Sequence, residues 1–172
     1  MRNLWTQIAV ALFLLAGAAS ANCQQMQPYT STDGRFTVNF PQGEVKQSSQ
    51  TIDLKGGGTT TLYQFWVELD NNNVSYMVMY NDYTGNYASG APQDTLATTR
   101  DGAVSGKTLT SDMAIDLNGV PGRAFTATDT SGWYFSVRQF LAGKRLYQLI
   151  VVSTKDHPAT QTDQFMSSFR IF

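Results

Sequence analysis

The chain has 172 residues, with 12 Lys+Arg against 13 Asp+Glu, one His, one Cys and 42% apolar content. That length fits one domain at ~100–200 residues per domain, and the apolar share excludes a disordered tail. A net charge of −1 argues against nucleic acid as partner, one Cys excludes a disulfide framework or cysteine zinc site, and one His excludes a multi-His metal site, so no cofactor is expected.

Met1-Arg2-Asn3, the apolar run Ile8–Ala16 and the small residues Ala19-Ser20-Ala21 form the three parts of a secretory signal. The run falls short of the ~20 residues of a spanning helix, and no second run follows, so no transmembrane span is expected. The reading is a signal peptide over 1–21, a flexible polar arm over 22–33 and one domain over 34–172. Without Arg2 the charge becomes −2. The position implied is exported, periplasmic or extracellular. Cys23 lies just past the cut, but Ser20 and Asn22 stand where a lipobox needs Leu and a small residue, so lipid anchoring is disfavoured.

Phe36, Val38 and Phe40 alternate with Thr37 and Asn39, the period of a half-buried strand ended by Pro41. A polar strand over 45–54, a Lys55–Gly58 turn and a β-rich strand over 59–69 follow. Asp70-Asn71-Asn72-Asn73 turns the chain into 74–80, a central strand apolar on both faces. After a Tyr/Gly/Asn loop, 92–104 reads as a helix with Pro92 in its first turn and Gly106 closing it. Strands over 109–117, 122–128, 133–141 and 144–153 are separated by turns at Asn118-Gly119, Asp129–Gly132 and Ala142-Gly143. A last helix begins at Asp156-His157-Pro158 with Phe165, Met166 and Phe169 as its stripe, and 169–172 closes as a short edge strand. Hairpins dominate, so the class is α+β, a mainly antiparallel sheet flanked by helices.

The segments Phe36–Pro41, Gly119-Val120-Pro121-Gly122-Arg123, Arg138–Leu149 and Phe165-Met166-Ser167-Ser168-Phe169 resemble small secreted bacterial proteins of the PsbP-like class. The resemblance spans most of 34–172. It implies an α-β-α sandwich and a mostly non-enzymatic class of accessory and assembly factors, best known from the oxygen-evolving photosystem. Nothing in the residues points to photosynthesis, and the motifs transfer no functional residue.

Catalytic and metal motifs fail on spacing. Gly106-Lys107-Thr108 resembles the end of a phosphate loop, but Asp101 stands where the first Gly belongs and the helix precedes instead of following. Ser105 falls one place late for a nucleophile elbow, and His157 is the only imidazole for a triad. Asp70, Asn72 and Asp82 offer a weak irregular oxygen-rich cation site, but Ser75 and Asn81 stand where an EF-hand needs Gly and Glu. Glu44 and Glu68, in strands, are the only glutamates for a carboxylate pair.

One sheet face carries the most information. Two-residue turns at Thr130-Ser131 and Ala142-Gly143 would set Arg123 opposite Arg138, and Arg138 opposite Tyr147. Arg123, Arg138, Arg145, Tyr134, Tyr147 and Phe140 then share one face, a candidate ligand site, with Trp133, Phe135, Val137, Leu146, Ile150 and Val152 on a core face. Opposed arginines need a negative partner. An internal carboxylate, Glu68 or an aspartate, is favoured over an anionic ligand. Tyr83 and Tyr87, in the long loop, are a second candidate surface for a protein partner. The leading expectation is an exported, non-enzymatic accessory or binding protein of the cell envelope. A carrier or sensor of a small anionic or amphipathic ligand comes next, and a carboxylate hydrolase last.

Overall fold

The computed structural model describes residues 25–54, 58–83 and 90–172. The expected export signal, Cys23, residues 55–57 of the expected Lys55–Gly58 turn and Tyr87 lie outside the described residues. Among the described residues, ten strands and two helices follow one another as β1 (Met26–Ser31), β2 (Phe36–Pro41), β3 (Lys46–Asp53), β4 (Thr59–Leu69), β5 (Val74–Asp82), α1 (Pro92–Ala103), β6 (Thr108–Leu117), β7 (Val120–Thr128), β8 (Trp133–Ala142), β9 (Arg145–Thr154), α2 (Thr162–Ser168) and β10 (Arg170–Ile171).

A seven-stranded antiparallel sheet has the order β3-β4-β5-β9-β8-β7-β6, and β1-β2-β10 form a second sheet of three. Two meanders build the large sheet, and α1 carries the chain between them from the middle to the far edge. The expected α+β class, an antiparallel sheet flanked by helices as an α-β-α sandwich, is therefore corrected to a mostly antiparallel β fold of two sheets. Strand dominates, the helices are only 12 and 7 residues long, and no helix layer covers the inner face. That face is covered by the small sheet together with α2. Phe36, Val38 and Phe40 of β2, Phe165 and Phe169 all bury completely against Phe65, Tyr76, Val78, Tyr80, Phe140, Tyr147 and Leu149 of the large sheet.

Two further expectations change. Much of the polar stretch read as an arm is β1, which pairs antiparallel with β2 from Met26↔Pro41 to Ser31↔Phe36. Its pattern is aperiodic because Tyr29 alone supplies a large ring to the core, 5.5 Å from Phe65 and 5.8 Å from Phe40. The last helix starts at Thr162, not near Asp156, and Thr162 bonds back to the Ala159 carbonyl.

Turn length decides which side chains share a face. Asp129 and Trp133 close the β7–β8 hairpin around three residues, with Gly132 at φ 85°. That is one residue more than a two-residue turn. Arg123 therefore stands opposite Gln139, and Arg138 opposite Ala124. A register change of one residue moves a side chain to the other face. The β8–β9 turn is Gly143-Lys144, flanked by Ala142↔Arg145. Its register differs from the expected one by two residues, so the faces of β9 are as expected.

Candidate functional site

Arg138, Arg145, Tyr134 and Tyr147 share the inner face with Phe140, while Arg123 lies on the outer face under α1. The inner face, expected to be the ligand side, holds the main core instead. The residues expected on the core side divide. Val137 and Leu146 are buried, whereas Trp133, Phe135, Ile150 and Val152 are half-buried on the outer face.

Each arginine has an internal partner. Arg145 grips Asp82 with two hydrogen bonds, Nε to Oδ1 at 2.6 Å and Nη2 to Oδ2 at 2.8 Å, and donates through Nη1 to the Asp33 carbonyl at 2.8 Å. These bonds hold the Asp82 carboxyl below its ordinary value and raise the guanidinium pKa further. Arg123 binds Asp112 in the same two-pronged way, at 2.7 and 2.6 Å, and Arg100 from α1 reaches the same carboxylate. Arg123 first, then Arg100, depress the Asp112 pKa. Arg138 donates to the Met166 carbonyl at 3.3 Å and has no ion pair among the described residues. Tyr147 is 2% exposed and donates to the Gly34 carbonyl at 2.7 Å. The expected shared ligand face is thus a filled core, with Tyr134 exposed and Arg138 and Arg145 partly exposed at its border.

The other candidates also separate. Tyr83 is not a surface aromatic. It is buried under α1 with Leu54, Leu96, Leu141 and Leu146, and its hydroxyl lies 3.1 Å from Thr99 Oγ1. Asp70 and Asn72 sit in a left-handed turn before β5, whereas Asp82 ends β5 and is held by Arg145. The three do not converge. His157 lies 3.9 Å from Asp70 in an open cleft of about 270 Å³ with Thr160 and Tyr76. Lys107 donates to the Ala103 carbonyl at the end of α1 and lies over Phe135, 5.0 Å from the ring centre. Glu68 accepts from Lys46 at 2.6 Å.

A further concavity lies away from every residue singled out in the sequence. A groove of about 620 Å³ runs between the β1–β2 turn and strands β3 and β4. That size falls within the ~300–1,000 Å³ range of small-molecule sites. Tyr63 lines it, 39% exposed, with its ring stacked on Tyr80 at 4.7 Å and an interplanar angle of 17°. Tyr80 in turn lies under the Arg145 guanidinium, 4.8 Å away, and burial pushes its phenol up to about 12. Arg145, held by Asp82, thereby fixes Tyr80, and Tyr80 fixes Tyr63. Gln47 and Ser49 project to this side because they stand opposite Phe65 and Tyr63. Thr30, Thr32 and Asp33 close the opposite wall. The one sequence signal for this site was the Tyr63–Tyr80 pairing across the Asp70–Asn73 turn. Its other wall comes from the stretch read as an arm.

No family model and no curated protein matches the chain. Solved structures do. The architecture, a large antiparallel sheet with a small sheet and short helix on one face and a single helix on the other, is of the PsbP type. Its counterpart is cyanobacterial PsbP from Synechocystis, similar over 92% of this chain and 99% of its own at TM-score 0.56 and 16% identity, a likeness of fold alone. A Pseudomonas aeruginosa protein of unknown function (TM-score 0.37, 11% identity, 76% of this chain and 84% of its own) and a Bacteroides thetaiotaomicron protein (0.42, 11%, 87% and 49%) are too distant to carry structural correspondence.

Proposed function

We propose that this chain is an exported, non-enzymatic accessory protein of the cell envelope that acts by binding, and that the Tyr63 groove is its binding surface. Residues 1–21 are its export signal, and the mature protein works in the periplasm or outside the cell. The observation that carries the reading is the contrast between two surfaces. The arginine-tyrosine face is filled, with Arg145 paired to Asp82 and Arg138 bonded to the Met166 carbonyl, whereas the groove presents a fixed, exposed aromatic ring among unfilled polar groups. The PsbP-type fold supports an accessory role, and Arg123, Arg145, Asp82 and Asp112 serve structure rather than chemistry.

The alternative, a carrier of a small anionic or amphipathic ligand, has one observation in its favour. Arg138 lines a cleft of about 180 Å³ with Met113, Met166 and Asp163. Recovery of bound material from native envelope extract separates the two. Wild type, Tyr63→Ala and Arg138→Ala are compared, with the mature N-terminus read by mass spectrometry. The proposal expects a terminus at Asn22 and loss of bound material in Tyr63→Ala alone. Loss in Arg138→Ala alone transfers the function to the cleft.

A further inference from the structure

The groove also carries information about its ligand. We infer that it takes a neutral saccharide, with one sugar ring lying against Tyr63. The inference rests on the binding reading above and names the ligand class of that site.

Of the rings at the groove, Phe65 is 7% exposed and Tyr80 3%, Tyr29 is half-buried with its ring packed on Phe36, Phe40 and Phe65, and Tyr63 is 39% exposed. The site therefore offers one flat aromatic platform, not a cage of several rings closing around a cation. A pyranose presents a face of C–H groups that packs on a flat ring, where the negative π face meets the weakly positive hydrogens. The platform is held in advance by the stack of Arg145, Tyr80 and Tyr63 on three neighbouring strands, so little side-chain entropy is lost on binding.

At the rim, the side chains of Gln47, Ser49, Thr30 and Thr32 have no hydrogen-bond partner among the described residues, and all four line the groove. They supply hydroxyl and amide groups that both donate and accept, which matches sugar hydroxyls. The lining holds no lysine, arginine or histidine to attract an anion, and Asp33 is its only carboxylate. Carboxylates accept two hydrogen bonds from vicinal hydroxyls in the manner in which they accept a guanidinium fork. A long apolar ligand is a poor match, because polar groups stripped of water without partners cost affinity.

The groove lies against the edge strand β3, whose side chains are polar and exposed apart from the half-buried Ile52. A chain of sugars lies along such an edge without being threaded through a mouth.

The test uses the folded protein over residues 22–172 and amide chemical-shift titration. The probes are maltotriose, cellotriose and chitotriose, with choline as a cation and native envelope extract in parallel. The variants are Tyr63→Ala, the double variant Gln47→Ala with Ser49→Ala, and Tyr134→Ala as an exposed tyrosine remote from the groove. Thermal unfolding confirms that each is folded. The inference expects at least one neutral trisaccharide to shift amides of β3, β4 and the β1–β2 turn, with affinity about tenfold or more weaker in Tyr63→Ala and unchanged in Tyr134→Ala. It is overturned if no trisaccharide shifts these amides at millimolar concentration, if choline alone does, or if Tyr63→Ala binds as well as wild type. Under those outcomes the extract arm separates the two claims. Groove shifts with extract leave the binding reading standing with another ligand, and an unmoved groove ends both.

Discussion

Arg123 and Arg138 stand on adjacent strands yet point to opposite faces of the large sheet, because Arg123 is paired with Gln139 and Arg138 with Ala124. The separation removes the repulsion that a shared face would impose and gives each guanidinium a different task. Arg123 joins Asp112 and Arg100 in a network linking α1 to β6 and β7. Replacing Asp112 by Ala leaves the mostly buried Arg123 without its carboxylate and Arg100 with Asp101 alone, and the expected loss is about 2 kcal/mol of stability in urea unfolding, the scale of a charged hydrogen bond. Arg138→Ala removes one long hydrogen bond and is expected to lose about 1 kcal/mol or less. Equal losses in the two variants would contradict the network.

Much of the fold was legible in the residues. Alternation at Phe36–Phe40, the doubly apolar strand Val74–Tyr80, Pro92 opening α1 and the turns at Asn118-Gly119 and Gly143 all place elements where they stand. What was not legible depended on single-residue turn lengths and on contacts distant in sequence. One extra residue at Thr130-Ser131-Gly132 carried Arg123 to the other face. β1 contributes a single large ring, so its strand character arises from pairing with Phe36–Pro41, not from its own pattern. For the same reason the groove was invisible, since its walls come from residues 30–33, 47–49 and 63. The carboxylate expected between opposed Arg123 and Arg138 does not arise, because the two lie on opposite faces; Asp112 pairs with Arg123 and Asp82 with Arg145, and only the register identifies these aspartates.

Two glycines predict opposite signs. A Cβ on Gly122 would lie 2.6 Å from the Gln139 carbonyl oxygen across the β7–β8 pairing, backbone that has no room to yield. Gly122→Ala is expected to destabilise by about 2 kcal/mol or more. Gly102, inside α1, has nothing within 4 Å of the added carbon, and Gly102→Ala is expected to stabilise by about 0.5–1 kcal/mol through helix propensity. Paired melting curves check both signs together.

Stability should fall at both ends of the pH scale, for different residues. Asp82 and Asp112 titrate below the ordinary carboxyl value of 3.8, so the unfolded chain binds protons more readily than the folded one. Their contribution is complete above 3.8 and is lost as pH falls through their folded values. Tyr80 has the reverse sign. Burial raises its phenol from 10.0 to about 12, so its contribution is complete below 10.0 and is lost as pH rises toward about 12. Urea midpoints across pH measure both limbs. In the double variant Asp82→Asn, Asp112→Asn the acid limb should flatten, while the alkaline limb stays.

The Arg145–Tyr80–Tyr63 stack predicts transmission from a charge pair to a binding surface. Asp82→Asn leaves Arg145 without its carboxylate partner and loosens the guanidinium over Tyr80. The Tyr63 ring, itself unsubstituted, should then lose order, seen as broader or averaged ring resonances. Ring signals identical to wild type would show that Tyr63 is held without the arginine.

The proposed function requires binding at the groove and not at the arginine-tyrosine face. Its most direct measurement is an amide chemical-shift map of the folded protein titrated with native envelope extract. The account predicts shifts clustered at residues 30–33, 47–49 and 63, with Arg123, Arg138 and Tyr134 unmoved. Shifts centred on Arg138, Tyr134 and Met113 with a silent groove would contradict it.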